Sequence, residues 1–263
     1  MKKYLYIYKS EIMSNLQYIM DIIISFIAFT LLIFIFLNLW NYIYSNPNEL
    51  INGYTKNQMI WYVIITEIMW MSLSGSNLSK KISNDVRSGN IAYNINKPYS
   101  YIEYSLFSHL GLVTIRLIIM GILGIGLGFL FLHMIPHLTI LQILAIVLCA
   151  ILGTIINIVL IISLGLFSFF IEDAHPFYWL YSKMIIVVGL IFPIEFFPVV
   201  IQPIIRFSPI YVICYGPAKL FVNFTNQEFI NVLIAQMIYI ILSFLICHII
   251  YKKGVKRLNV NGG

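Results

Sequence analysis

Hydrophobic positions in this chain come in long unbroken runs, and polar positions are confined to short stretches between them. The runs fall at about 22–44, 58–78, 108–132, 140–170, 178–192 and 229–251. A lipid core about 30 Å thick needs roughly 20 apolar residues in a helix. All but the fifth run meet that length, and the fifth leads into a proline-interrupted stretch. Strands of a membrane barrel would instead alternate over ~10-residue segments. The pattern predicts an all-α polytopic membrane protein, one transmembrane domain over residues 1–263 with six transmembrane helices.

The polar stretches mark where these helices begin. Thr55 to Gln58, Ser100 to Glu103 and Thr225 to Glu228 each fit S/T-x-x-E/Q, in which the two side chains satisfy orphan backbone N–H groups of a helix start. Unsatisfied backbone groups are costly in lipid, so these capped starts set the second, third and sixth spans. Ahead of the first span, residues 1–21 mix Tyr, Ile, Met and Leu with Lys9, Glu11, Asn15 and Gln17, the composition of a helix lying in the membrane interface. The basic start (Lys2, Lys3) is followed by no A-x-A-like cleavage site, which predicts a retained first span. Between the fifth and sixth spans, residues 193–227 carry Pro193, Pro198, Pro203, Pro209 and Pro217 together with Glu195, Arg206 and Tyr211. That stretch cannot be one continuous helix. It predicts short broken helices on the outer side, packed against protein or lining water.

Composition sharpens the class. The chain is 60% hydrophobic and 10% charged, against about 25% charged in soluble domains, which excludes a water-soluble fold and gives no reason to expect a nucleic-acid partner. Twelve of the sixteen Lys and Arg residues fall on the side that would hold both termini, so the positive-inside rule puts both termini in the cytoplasm. Cys149, Cys214 and Cys247 are far apart and in apolar surroundings, which implies neither a disulfide framework nor a zinc site.

Chemistry-bearing residues are few. No Gly precedes a Lys, so the chain has no phosphate-binding loop of the G-x-x-x-x-G-K-[ST] type, and it carries no catalytic motif. Glu67 sits midway along the second span and Arg116 about two turns into the third region's apolar run. Charges at depth face the bundle interior or a water path; Glu67 is a candidate substrate-path residue or an interhelical hydrogen-bonding group, and Arg116 is placed to snorkel to the cytoplasmic face. Gly124 and Gly128 stand in G-x-x-x-G spacing, a close-packing face within or between subunits. Residues 172–176, Glu-Asp-Ala-His-Pro, put Pro176 at the start of the fifth span. His133 and His137 flank a turn holding Pro136 and lack a third ligand nearby, so no metal site is expected. Trp40, Tyr42, Tyr44 and Trp61 read as interfacial anchors.

One polar stretch stands out, residues 79–104, SKKISNDVRSGNIAYNINKPYSYIEY. Asp85, Arg87 and Gly89, then Asn90 to Asn94, then Lys97, Pro98 and Ser100 resemble the loop between the second and third spans of type-2 ABC exporter permeases (the ABC-2 type). The outer stretch resembles that family too, with Ser208-Pro209-Ile210-Tyr211 and Tyr215-Gly216-Pro217-Ala218, as does the tail ending Gly262-Gly263 in one bacterial subgroup. The resemblance implies that Gly89 ends a descending helix, that residues 90–94 form a cytoplasmic coupling helix, and that Pro98 stops it. Asp85, Arg87, Gly89, Asn90, Ile91, Tyr93, Asn94, Ile95 and Pro98 would then meet an ATP-binding cassette subunit. It also implies a dimer of permeases in a bacterial cytoplasmic membrane. ATP and Mg would sit on the partner subunit, and this chain would be no enzyme. The rival classes are a secondary active transporter built around Glu67, a membrane-embedded enzyme, and a six-span substrate-binding component of an energy-coupling importer.

Overall fold

A computed structural model describes residues 2–16, 19–46 and 49–261; Gln17 and the terminal Gly262 and Gly263 lie outside the described residues. Eleven α-helices are present among those described: α1 (Lys2–Asn15), α2 (Ile19–Ile43), α3 (Lys56–Leu73), α4 (Ser76–Arg87), α5 (Asn90–Ile95), α6 (Tyr101–Leu132), α7 (Ile140–Leu166), α8 (His175–Ile185), α9 (Gln202–Arg206), α10 (Gly216–Val222) and α11 (Asn226–Asn261). The protein is a polytopic α-helical membrane protein. Among the described residues, five helical stretches are long and apolar enough to cross a membrane: 23–43, 56–87 (α3 continued by α4), 101–132, 140–169 and 226–257. The run at 178–192 behaves differently. α8 there passes into a π turn at Ile186–Leu190, and residues 193–222 continue as short pieces.

The helix starts follow their local chemistry to different degrees. Thr55 and Gln58 make both bonds of a capping box at α3. At α6 only Ser100 contributes, its hydroxyl accepting from the Glu103 N–H. At α11 the Thr225 hydroxyl accepts from the Glu228 N–H at 3.2 Å, while the Glu228 carboxylate accepts instead from the Tyr211 hydroxyl at 3.0 Å. A further full box, Thr139 with Gln142, opens α7 and was legible in the sequence as the same four-residue pattern.

The irregular turns sit deep in the bundle, and side chains from neighbouring helices satisfy the backbone groups they free. The Tyr62 hydroxyl donates to the Gly189 carbonyl at 3.0 Å, and the Thr66 hydroxyl to the Leu190 carbonyl at 3.1 Å. The Gln236 amide donates to the Cys149 and Val212 carbonyls at 2.7 and 2.9 Å. Irregular backbone is tolerated at membrane depth only on such terms.

Two glycines set how closely α6 approaches its neighbours. A Cβ on Gly128 would come within 2.4 Å of the Trp61 ring, and one on Gly124 within 2.6 Å of Ile68. Both therefore pack α6 against α3 inside this chain. Gly121 and Gly126 face open space.

At 32 residues, α6 is about 48 Å long at 1.5 Å per residue, well beyond a lipid core of about 30 Å. Its first turns are covered by α1, which runs parallel to them. Tyr4 stacks on Phe107, the Tyr8 hydroxyl donates to Thr114 at 3.2 Å, and the Ser108 hydroxyl donates to Glu11 at 2.8 Å. Residues 2–15 are thus a helix strapped lengthwise along α6.

Candidate coupling site

The segment 76–100 is built as a bent lever. α4 is amphipathic: Leu78, Ile82 and Val86 are buried, while Lys80, Lys81 and Arg87 are exposed. It ends at Ser88, and the next residue, Gly89, has φ +76°. That left-handed conformation disfavours any side chain by about 1–2 kcal/mol, so glycine is the residue that lets the chain turn there at once into α5. Beyond α5, Pro98 and the Ser100 cap lead into α6.

Each residue of the turn has a defined place. Asp85 accepts a 2.7 Å hydrogen bond from the Tyr101 hydroxyl, which ties α4 to the start of α6. Tyr101 in turn stacks on Tyr251 of α11 with planes 5° apart. Ile91 is wholly buried, at 0% exposure, whereas Tyr93 is 72% exposed. Asn90, Ala92 and Asn96 are exposed as well, and Asn94 and Ile95 are half-buried. The Lys97 ammonium donates to the Asn94 side chain at 2.9 Å and lies over the Tyr93 ring. Lys3 donates to the Pro98 carbonyl, and the Ser100 N–H donates to the Tyr4 hydroxyl at 3.0 Å. α1 therefore braces the far end of the turn.

This geometry changes what Ile91 does. The resemblance makes the aliphatic side chains of the short helix available to a partner, but Ile91 points into this chain's own core. It is the anchor of α5. The outward face of the turn is formed instead by Arg87, Asn90, Ala92, Tyr93 and Pro98, with Asn94 and Ile95 at its edge.

The lever joins α3 through a break at Ser74 and Gly75. Its freed groups are held by side chains from elsewhere: the Asn157 amide donates to the Leu73 carbonyl at 3.1 Å, and the Gly75 N–H donates to the Tyr178 hydroxyl at 3.2 Å. Asn157 also accepts from the Tyr181 hydroxyl at 2.7 Å. Lower down, the Ser83 and Ser168 hydroxyls share a hydrogen bond of 2.6 Å.

Glu67 lies two turns above this break. It is 4% exposed, and its Oε2 has no hydrogen-bond partner among the described residues. It does not line the apolar groove of about 620 Å³ between α6 and α7, whose floor is formed by Ile65, Ile68 and Met69 of α3.

At the opposite end of the bundle the Pro-rich stretch folds around a charged cluster. Pro193 precedes a 3-10 turn carrying Glu195, and Pro198 leads toward α9. Glu195 accepts from the Tyr54 hydroxyl at 3.0 Å, the Tyr215 hydroxyl at 2.7 Å and the Lys219 ammonium at 3.1 Å. Lys219 also donates to Tyr54 at 2.6 Å. Glu228, held by Tyr211 two residues beyond Pro209, adds a second carboxylate on this side. Burial pushes the Glu195 carboxyl up, but the Tyr215 hydroxyl and Lys219 outweigh it and hold the carboxyl below its ordinary range. A carboxylate depressed in this way contributes stability that is fully present above the ordinary value of 4.5 and is lost as pH falls through the folded value. The Glu195 contribution to thermal stability is therefore expected to be full from neutral pH down to about pH 4.5 and to be lost below it. Glu195→Gln should flatten that acid limb. An unchanged acid limb in this variant would remove Glu195 as its source.

A family model described as ABC-2 family transporter protein matches residues 26–262 of the chain. No curated protein matches it.

Proposed function

This chain belongs to the ABC-2 family of transporter proteins and is the membrane permease of an ABC transporter, and we propose that it works as an exporter subunit driven by ATP hydrolysed on a separate chain. The observation that carries this reading is α5: a short helix set off by Gly89, anchored inward by Ile91 and presenting Tyr93 outward. Asp85, Arg87, Asn90, Asn94, Ile95 and Pro98 complete the coupling surface. When the ATP-binding pair closes on ATP and Mg, the thrust enters at α5 and passes up α4 to the break at Ser74 and Gly75.

In this reading the spans number six. α8 with its π turn is the fifth, and it re-enters the outer leaflet through residues 193–222. Both termini face the cytoplasm of a bacterial cell, and two permeases, identical or related, stand on two ATP-binding subunits. Because Glu67 is enclosed within one subunit in this state, a substrate role for it requires the cavity to differ after ATP closure. A ligand shifts such an equilibrium only by its differential affinity for the two states.

Purification of the tagged protein in mild detergent, with mass spectrometry of what accompanies it, tests the proposal. An ATP-binding cassette subunit at equal stoichiometry is expected. Recovery of the permease alone, both in detergent and in lipid nanodiscs, would sink it.

A further inference from the structure

Arg116 opens onto a pocket of about 190 Å³, lined by five polar and five apolar side chains, at the level where α2 and α6 pass into their uncharged apolar lengths. Asn15 closes α1, Asp21 and Ser25 lie in the first turns of α2, and Asn77 lies in the first turn of α4, just past the break; all four line the pocket with Arg116. The apolar part of α2 begins at Ile23, and α6 carries no charge from Leu117 to Leu132. The pocket therefore sits at one boundary of the lipid core, on the side of α1, α4 and α5.

Its charges are arranged as an open pair. Arg116 is half-buried and makes no hydrogen bond among the described residues, and the one ion pair among them is Lys219 with Glu195. Asp21 lines the same pocket without closing on Arg116. The Ser25 hydroxyl and Asn15 amide are each engaged by a backbone carbonyl of their own helix at 2.7 Å, which fixes their orientation. Asn77 makes no side-chain hydrogen bond among the described residues. A guanidinium offers five N–H donors in a fork that matches a phosphate, and a carboxylate accepts from an ammonium.

We propose that this pocket binds a zwitterionic phosphate–ammonium group, as carried by an amine-bearing phospholipid headgroup, with Arg116 on the phosphate and Asp21 on the ammonium. A purely anionic headgroup would meet the Asp21 charge, and a purely cationic one would meet Arg116. The bridge would tie α1 and α2 to α4 and α6 at the root of the lever.

The test uses the full-length protein in detergent, stripped of lipid, titrated with short-chain phosphatidylethanolamine, phosphatidylglycerol and diacylglycerol. Phosphatidylethanolamine is expected to bind at least threefold more tightly than phosphatidylglycerol and tenfold more tightly than diacylglycerol. R116Q should weaken its binding about 10- to 100-fold, as the loss of a charge-assisted hydrogen-bonding partner does. D21N should erase the preference for the ethanolamine lipid and tighten phosphatidylglycerol, an outcome that lost folding does not produce. Competition by soluble glycerophosphoethanolamine would support the headgroup chemistry with a soluble source; no competition alongside tight lipid binding would support the lipid source. Diacylglycerol binding as tightly as phosphatidylethanolamine would overturn the proposal, and so would a D21N variant that keeps the wild-type preference.

Discussion

Tyr93→Glu is expected to abolish ATP-driven transport while leaving the permease folded and inserted. Tyr93 is 72% exposed on α5, and its ring is held by Lys97. Exposed aromatics of this kind supply a disproportionate share of interface energy, often 2 kcal/mol or more on truncation, which corresponds to roughly 30-fold in affinity. The substituted carboxylate adds a like-signed clash with any acidic groove that matches Arg87 and Lys97. Recovery of the ATP-binding subunit with the variant should fall at least tenfold, and substrate-stimulated hydrolysis should vanish. Thermal stability should stay within about 0.5 kcal/mol, as for surface substitutions generally. Normal recovery and stimulated hydrolysis would mean that the partner grips elsewhere. Ile91→Asp is a different experiment. It places a charge at a fully buried position, which costs several kcal/mol when unpaired, so it should melt the turn itself.

The second large effect belongs to Asn157. Asn157→Leu keeps the volume but strands the Leu73 carbonyl and the Tyr181 hydroxyl, both of which Asn157 satisfies at 3.1 and 2.7 Å. An unsatisfied buried group costs about 1–3 kcal/mol, so the variant should lose roughly 2–3 kcal/mol, equivalent to several degrees of melting temperature. Coupling should suffer beyond that loss, because Asn157 holds the joint through which α4 meets α3. The check is to compare Asn157→Leu with a variant matched in melting temperature but altered far from the joint, such as one in the Glu195 cluster. Equal stimulated ATP hydrolysis in the two would show that Asn157 serves stability alone.

The lipid-facing chemistry was the legible part of this protein. A bilayer sorts residues along one dimension, so unbroken apolar runs and capped starts read directly off the chain, as at Thr55 and Gln58. Gly89 and the prolines of 193–217 were legible for a related reason: their effects on backbone conformation act within one or two residues. The same local reading overestimated the reciprocity of the caps at Ser100 and Thr225. Glu228 is drawn away to Tyr211 by a contact that no four-residue window contains. It set residues 178–192 apart as a short fifth run leading into prolines but held no sign of the π turn that ends α8, whose carbonyls depend on Tyr62 and Thr66, more than a hundred residues earlier.

By itself, then, the sequence determined that the chain lives in a membrane, that it is helical, where its polar turn lies, and the family it resembles. Those properties follow from composition and from backbone preferences felt over a few residues. Tertiary structure alone decided which face of α5 is offered outward, that Ile91 anchors and Tyr93 projects, and that Gly124 and Gly128 pack within one subunit. It also paired Glu195 with Lys219 and Tyr54, and Asn157 with the broken end of α3. Such pairings arise from the packing of helices distant in the chain, where burial forces each stranded polar group to find its partner, and one-dimensional periodicity holds no record of that choice.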